Sequence, residues 1–170
     1  MTQLAFIGGG NMATSIIGGL VKQGDISAAS INVSDPGAEQ REKLNTSFGV
    51  NTFEDNLAAI ADAEVVILAV KPQVMKDVLL PLKSTLEARQ PLVISIAAGI
   101  SMTSLSSWTG CKAIVRCMPN TPALLGEGAT GLFASDDVHL DQRNLADALL
   151  RAAGITVWVK EEAELDAVIA

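Results

Sequence analysis

Apolar positions along the chain alternate between short unbroken runs and longer stripes of helical period. Residues 3–7 form a strand-like run that ends in Gly8-Gly9-Gly10. Residues 12–22 then carry Met12, Ile16, Ile17, Leu20 and Val21 at helical spacing, stopped by Gly24. A second strand over 30–34, the turn Asp35-Pro36-Gly37 and a charged helix over 38–48 closed by Gly49 repeat the unit. A third, short strand is predicted over 50–53 and a short helix over 54–61. Val65, Val66, Ile67, Leu68 and Val70 make the run 64–70 apolar on both faces, as in a parallel strand covered by helices above and below. Pro72 suits the first turn of a helix reaching residue 89, and Pro81 within it predicts a break. Strands over 92–97 and 113–117, a short helix over 101–108, an additional strand over 128–134, a helix over 141–153 stopped by Gly154, and a strand over 155–159 complete the series. Such alternation predicts an open α/β sheet with right-handed crossovers.

Composition narrows the class. Of 170 residues 49% are apolar and 18% charged, which supports a core and excludes intrinsic disorder. The length fits one domain, or one and a fragment. A net charge of −7, with 4% aromatics and no Tyr, argues against nucleic-acid binding through a cationic groove and stacking platforms. Two cysteines, Cys111 and Cys117, fit a reduced cytoplasmic protein, and with a single His a Cys/His metal site is nearly excluded. The uncharged stretches 1–21 and 91–111 contain glycines and hydroxyls, so neither reads as a membrane span, and the first lacks the basic start of a signal peptide. Residues 1–160 are expected to form one domain. Residues 161–170 begin as an acidic helix and end apolar and uncapped, as if the chain stopped inside an element of a second domain. A short terminal helix docked on the sheet is the alternative.

The sharpest motif is Gly8-Gly9-Gly10-Asn11-Met12-Ala13, the G-x-G-x-x-A form of the dinucleotide fingerprint, after a strand and at the start of a helix. In it Gly8 makes the tight turn, Gly10 lets a pyrophosphate approach the main chain, and Ala13 lets the helix pack on its strand. The N–H groups of the first turn then bind the anion. The fold expected is a Rossmann-like, doubly wound, mostly parallel sheet with helices on both faces. Asp35 stands about 20 residues further on, where a carboxylate receives the ribose 2′-OH and favours NAD; Arg41 on the next helix either reaches a 2′-phosphate or is a solvated charge. Three more strand-end loops are candidates: Ala69-Val70-Lys71-Pro72-Gln73, Ala97-Ala98-Gly99, and Cys117-Met118-Pro119-Asn120-Thr121-Pro122. Catalytic candidates are few. His139 lies among acids before a helix, Cys117 reads as a buried thiol without a base, and Glu161, Glu162 and Glu164 read as a solvated helix start. No triad or carboxylate pair is evident, and hydride transfer needs none, because the cofactor carries the chemistry.

These loops, with Ser95–Ile100, Arg116–Pro122 and Gly126–Gly131 in the same order, closely resemble pyrroline-5-carboxylate reductase. The resemblance implies NAD(P)H-dependent reduction of 1-pyrroline-5-carboxylate to L-proline, the last step of proline biosynthesis, with NADP as the nucleotide and NAD as the alternative. It implies a cofactor shell of Ile7, Gly8, Gly9, Gly10, Asn11, Met12, Asp35, Gly37, Asn56, Val70, Lys71 and Ala98, with Met118, Pro119 and Asn120 on the nicotinamide side. It also implies a following helical domain that dimerises the protein and supplies the substrate groups, so that no catalytic residue and no metal ligand is expected here. Other readings are a non-catalytic nucleotide-binding module and a reductase of the β-hydroxyacid dehydrogenase type.

Overall fold

The computed structural model describes residues 2–24, 26–119 and 128–167. The apolar runs form the strands β1 (Leu4–Ile7), β2 (Ile31–Ser34), β3 (Asn51–Phe53), β4 (Val65–Leu68), β5 (Leu92–Ser95), β6 (Ile114–Pro119), β7 (Gly128–Ala134) and β8 (Gly154–Trp158). The stripes between them form the helices α1 (Asn11–Gln23), α2 (Ala38–Phe48), α3 (Asn56–Ile60), α4 (Pro72–Leu79), α5 (Lys83–Arg89), α6 (Met102–Thr109) and α7 (Leu140–Leu150), and a last helix, α8 (Glu162–Ala167), ends the described chain.

The strands make one sheet in the order β3-β2-β1-β4-β5-β6-β7-β8. All neighbours are parallel except β6 and β7. Residues 120–127 are fewer than the dozen or so that a parallel crossover requires, so β7 must return antiparallel. Alternate residues of each central strand serve opposite faces. Leu4, Phe6, Val65, Ile67 and Ile94 pack with Ile16, Ile17, Leu44 and Leu149 from α1, α2 and α7. Ala5, Ile7, Val66, Leu68 and Val93 pack with Ile60, Met75, Leu79, Leu86 and Leu105 from α3 to α6. The doubly wound fold read from the sequence is the fold observed.

Differences from the sequence reading have local causes. The helix from Pro72 breaks where expected: α4 ends at Leu79, Leu80–Leu82 is a 3₁₀ turn containing Pro81, and α5 follows. Gly154 stops the helical segment as expected, but the last turn before it is not α-helical. The helix tightens into a 3₁₀ turn over Arg151–Ala153, and Gly154, at φ 136°, opens β8. The runs extended to Val70 and Ala97 leave the sheet at Leu68 and Ser95, and their last residues become loops. The terminal segment docks: Leu165 on α8 is fully buried against the β6–β7 side of the sheet. Among the described residues no helix is long and apolar enough to cross a membrane.

Candidate functional site

The order of the sheet turns around between β1 and β4, so the loops leaving these strands diverge and open a crevice at their carboxyl ends. Main-chain hydrogen bonds carry the ladder just past the strand ends. Gly8 N–H donates to Ser34 O (2.8 Å), Asp35 N–H to Phe53 O (3.0 Å), Ala69 N–H to Ile7 O (2.8 Å) and Ile96 N–H to Leu68 O (3.1 Å). These bonds line up, along one edge, the loops that carry the residues singled out in the sequence.

The glycines of the first loop differ in what they permit. Gly8 has φ +100°, and a Cβ there would lie 2.8 Å from Ala69 O. A Cβ on Gly9 would lie 2.7 Å from Leu44 Cδ1. A Cβ on Gly10 would meet nothing within 4 Å. Gly10 is exposed and caps α1, whose first turn has no side-chain cap and no acidic residue. The free N–H groups of a 13-residue helix therefore face open space above Gly10. A diphosphate fits this cradle: it needs bare main chain, oriented donors and no acidic residue in the first turn of the helix.

Side chains from the neighbouring loop hold the cradle. Asp35 Oδ2 accepts from Gly9 N–H (3.0 Å), and Oδ1 accepts from Gly37 N–H (2.8 Å). Gln40 Nε2 donates to Gly9 O. Arg41 Nη1 donates to the main-chain oxygen of Asp35 (2.7 Å), with Nη2 3.9 Å from Glu54.

The other predicted residues lie along the same edge. Ile7 is the buried end of β1, Asn11 is exposed and Met12 half-buried at the start of α1, and Gly37 caps α2. Asn56 opens α3 behind the N-cap Asp55, whose Oδ1 accepts from Leu57 N–H (3.1 Å). Val70 is half-buried beside Gly8, and exposed Lys71 caps α4. Ala98 is exposed next to Gly99, and Met118, buried, precedes Pro119 at the end of β6. Asn120, with Thr121, Pro122 and Gly126, lies outside the described residues.

Both cysteines are buried. Burial pushes the Cys111 thiol up to about 11, helped by Glu87 and opposed by the Thr109 hydrogen bond, and burial pushes Cys117 further up. Neither is a thiolate near neutral pH. His139 is exposed at the N-cap of α7, at the opposite edge of the sheet, where its N–H donates to Gln142 Oε1 (2.9 Å). No metal-ligand group occurs among the described residues. A cavity of about 410 Å³ beside Arg143 and Lys160 also lies at that far edge and includes none of the predicted residues.

One interaction escaped the sequence reading. Arg116, 3% exposed on β6, donates to Glu162 Oε2 at 2.6 Å, and the same oxygen accepts from Met102 N–H at 2.6 Å. Glu162 is therefore not a solvated helix charge. It ties α8 to β6 and to the start of α6. The signal available was a charged residue inside the apolar run Ile114-Val115-Arg116-Cys117-Met118. A buried cation implies a partner, although its identity is not written locally.

A family model described as NADP oxidoreductase, coenzyme F420-dependent, matches residues 3–99, more than half of the chain. The chain belongs to this family. It is 53% identical over 169 residues to a pyrroline-5-carboxylate reductase of Pseudomonas aeruginosa, covering 99% of the chain and 61% of the relative. The solved pyrroline-5-carboxylate reductase of Coxiella burnetii superposes with a TM-score of 0.94 at 40% identity, covering 98% of this chain and 62% of that one. The Plasmodium falciparum pyrroline carboxylate reductase, solved with NADP bound, superposes at 0.82 with 25% identity, over 96% of this chain and 59% of that one. The resemblance read from the loops thus extends along the whole chain. The chain spans about three fifths of the length of these relatives.

Proposed function

We propose that this chain is the dinucleotide-binding part of a pyrroline-5-carboxylate reductase, with NADP(H) as its nucleotide and NAD(H) as the weaker alternative. The observation that carries the reading is the open, uncapped helix start above Gly10 at the point where the strand order turns. The names of the relatives and the NADP in the Plasmodium structure support the choice of nucleotide and substrate. In this reading residues 1–160 are the cofactor domain. Residues 161–170 begin a helix that leads into a substrate-binding and dimerising domain, and the greater length of the relatives supports that division.

When bound, the reduced nucleotide supplies a hydride to the imine carbon of 1-pyrroline-5-carboxylate, and a proton reaches the ring nitrogen, giving L-proline. The main chain of Gly8–Asn11 would hold the diphosphate, Asp35 to Arg41 the adenosine end, and Lys71 and Ala98 the span toward the nicotinamide. Met118, Pro119 and Asn120 would border the reacting ring. Hydride transfer requires donor and acceptor about 3–3.5 Å apart. The cofactor domain fixes only the donor, so reduction by this chain alone is expected to be slow or absent.

Fluorescence titration with NADPH and NADH tests the binding reading. Saturable binding, tighter for NADPH, is expected, and no binding of either nucleotide would refute it. Assay of the full-length parent on pyrroline-5-carboxylate against a 3-hydroxy acid tests the substrate. Turnover of the hydroxy acid alone would assign the parent to the β-hydroxyacid dehydrogenase type.

A further inference from the structure

Asp35 occupies the position from which an acidic residue is expected to accept the ribose 2′-OH and repel a 2′-phosphate. Its geometry here points elsewhere. Each carboxylate oxygen already accepts a main-chain N–H, Oδ2 from Gly9 at 3.0 Å and Oδ1 from Gly37 at 2.8 Å. The carboxylate is turned inward, toward the phosphate loop. A Cβ on Gly9 would lie only 3.5 Å from Oδ2, and one on Gly37 only 3.2 Å from Oδ1, so the two loops close around it. Gly9 is also held from its other side, since Gln40 Nε2 donates to its carbonyl oxygen. One residue of the phosphate cradle, Gly9, is thus held at both its N–H and its carbonyl by side chains of the β2–α2 segment. The cation of this corner is Arg41. Its Nη1 is fixed to the main-chain oxygen of Asp35 at 2.7 Å and its Nη2 lies 3.9 Å from Glu54, so the guanidinium is held beside Asp35 with further donors of its five still available.

We infer that Asp35 is a positioning residue that braces the phosphate loop, and that Arg41, not Asp35, discriminates between a 2′-phosphate and a 2′-hydroxyl. This rests on the nucleotide-binding reading above. The arrangement also gives an acidic fingerprint residue a physical way to coexist with NADP: each oxygen of the carboxylate already accepts one main-chain N–H, and Oδ2 is engaged by the phosphate loop.

The test uses this chain with Asp35→Ala, Asp35→Asn and Arg41→Ala, titrated with NADPH and NADH by fluorescence. A brace serves both nucleotides. Asp35→Ala is therefore expected to raise both Kd values by a similar factor, about tenfold, the order of one charge-assisted hydrogen bond. The NADPH-to-NADH ratio should stay within about twofold, well below the tenfold effect of one such contact. Asp35→Asn keeps one acceptor oxygen and should recover part of the loss for both nucleotides. Arg41→Ala should shift the ratio toward NADH by about tenfold. A gain in NADPH relative to NADH on Asp35→Ala would overturn the inference, because the carboxylate would then be reading the ribose. An unchanged ratio on Arg41→Ala would overturn the second half.

Hydrogen exchange without nucleotide separates this inference from the reading beneath it. The Gly9 amide should exchange faster in Asp35→Ala, or in Asp35→Asn if the alanine variant does not fold, and no change would overturn the brace whatever the parent binds. A parent that binds neither nucleotide refutes the function, and with it the role of Arg41.

Discussion

Gly10→Ala is expected to leave the fold intact and to weaken nucleotide binding, and the structure supplies both magnitudes. Gly10 has φ −76°, a value open to any residue, and an added Cβ meets no atom within 4 Å. Alanine is a poorer N-cap than glycine by about 0.5–1 kcal/mol. Restricting the unfolded chain returns about 0.4–1 kcal/mol. The net change in stability is about zero, and the shift in Tm should stay below about 2 °C for a chain of this length. Binding is another matter. The methyl group stands in the open space above the helix start, so a phosphate oxygen must retreat from the main chain. Loss of one hydrogen bond to a charged group, about 1.5–3 kcal/mol, corresponds to a Kd raised about 10- to 150-fold. Thermal melts and NADPH titration of parent and variant measure the two effects separately. An unchanged Kd in a folded variant would mean that the diphosphate does not rest on Gly10. A Tm lowered by more than about 5 °C would mean that the space is not open.

Four further outcomes follow from the same structure. Gly8→Ala combines a positive φ with a Cβ 2.8 Å from Ala69 O, so it should cost about 3 kcal/mol or more in urea unfolding, and parental stability would refute the contact. Burial of Asp147 opposes its charge, but hydrogen bonds from Thr156, Arg151 and Trp158 outweigh burial and hold its pKa below the ordinary 3.8. The stabilisation is therefore complete above 3.8 and lost as pH falls through the folded value; Asp147→Asn should be less stable than the parent at neutral pH, with the gap closing in strong acid, whereas a gap independent of pH would refute the role of the charge. Glu162→Ala should cost about 2 kcal/mol, between surface and fully buried ion pairs because the Glu162 side chain is 32% exposed, and should speed hydrogen exchange in α8; unchanged exchange would refute the tether. The Thr130 hydroxyl is buried with no hydrogen-bond partner among the described residues, so Thr130→Val should be neutral or stabilising by about 1 kcal/mol in thermal melts, and a clear loss of stability would reveal a partner.

Much of this molecule was legible along the chain because the responsible physics is local. Continuous apolar runs such as Val65–Leu68 mark strands covered on both faces, and Pro81 breaks its helix because it lacks an N–H. The short segment between β6 and β7 forbids a parallel crossover, so even the reversed strand was within reach. The glycine loop could be named from its spacing, since turn, close approach and helix start each require a small residue at a fixed offset. The distant groups that each glycine faces were not legible. Gly8 is fixed by Ala69 from another loop and Gly9 by Leu44 from another helix, whereas Gly10 faces nothing.

Side-chain partnerships were decided by tertiary structure alone. Asp35 could be placed near the ribose by counting residues, but the pair of main-chain donors that turns it inward includes one 26 residues away. Arg116 and Glu162, 46 residues apart, could be seen only as an odd cation in an apolar run and an ordinary acid on a helix. Periodicity and composition report the environment of a residue, because burial repeats with the geometry of its own element. They do not report which distant group completes its hydrogen bonds, because that depends on where the sheet brings separate loops together.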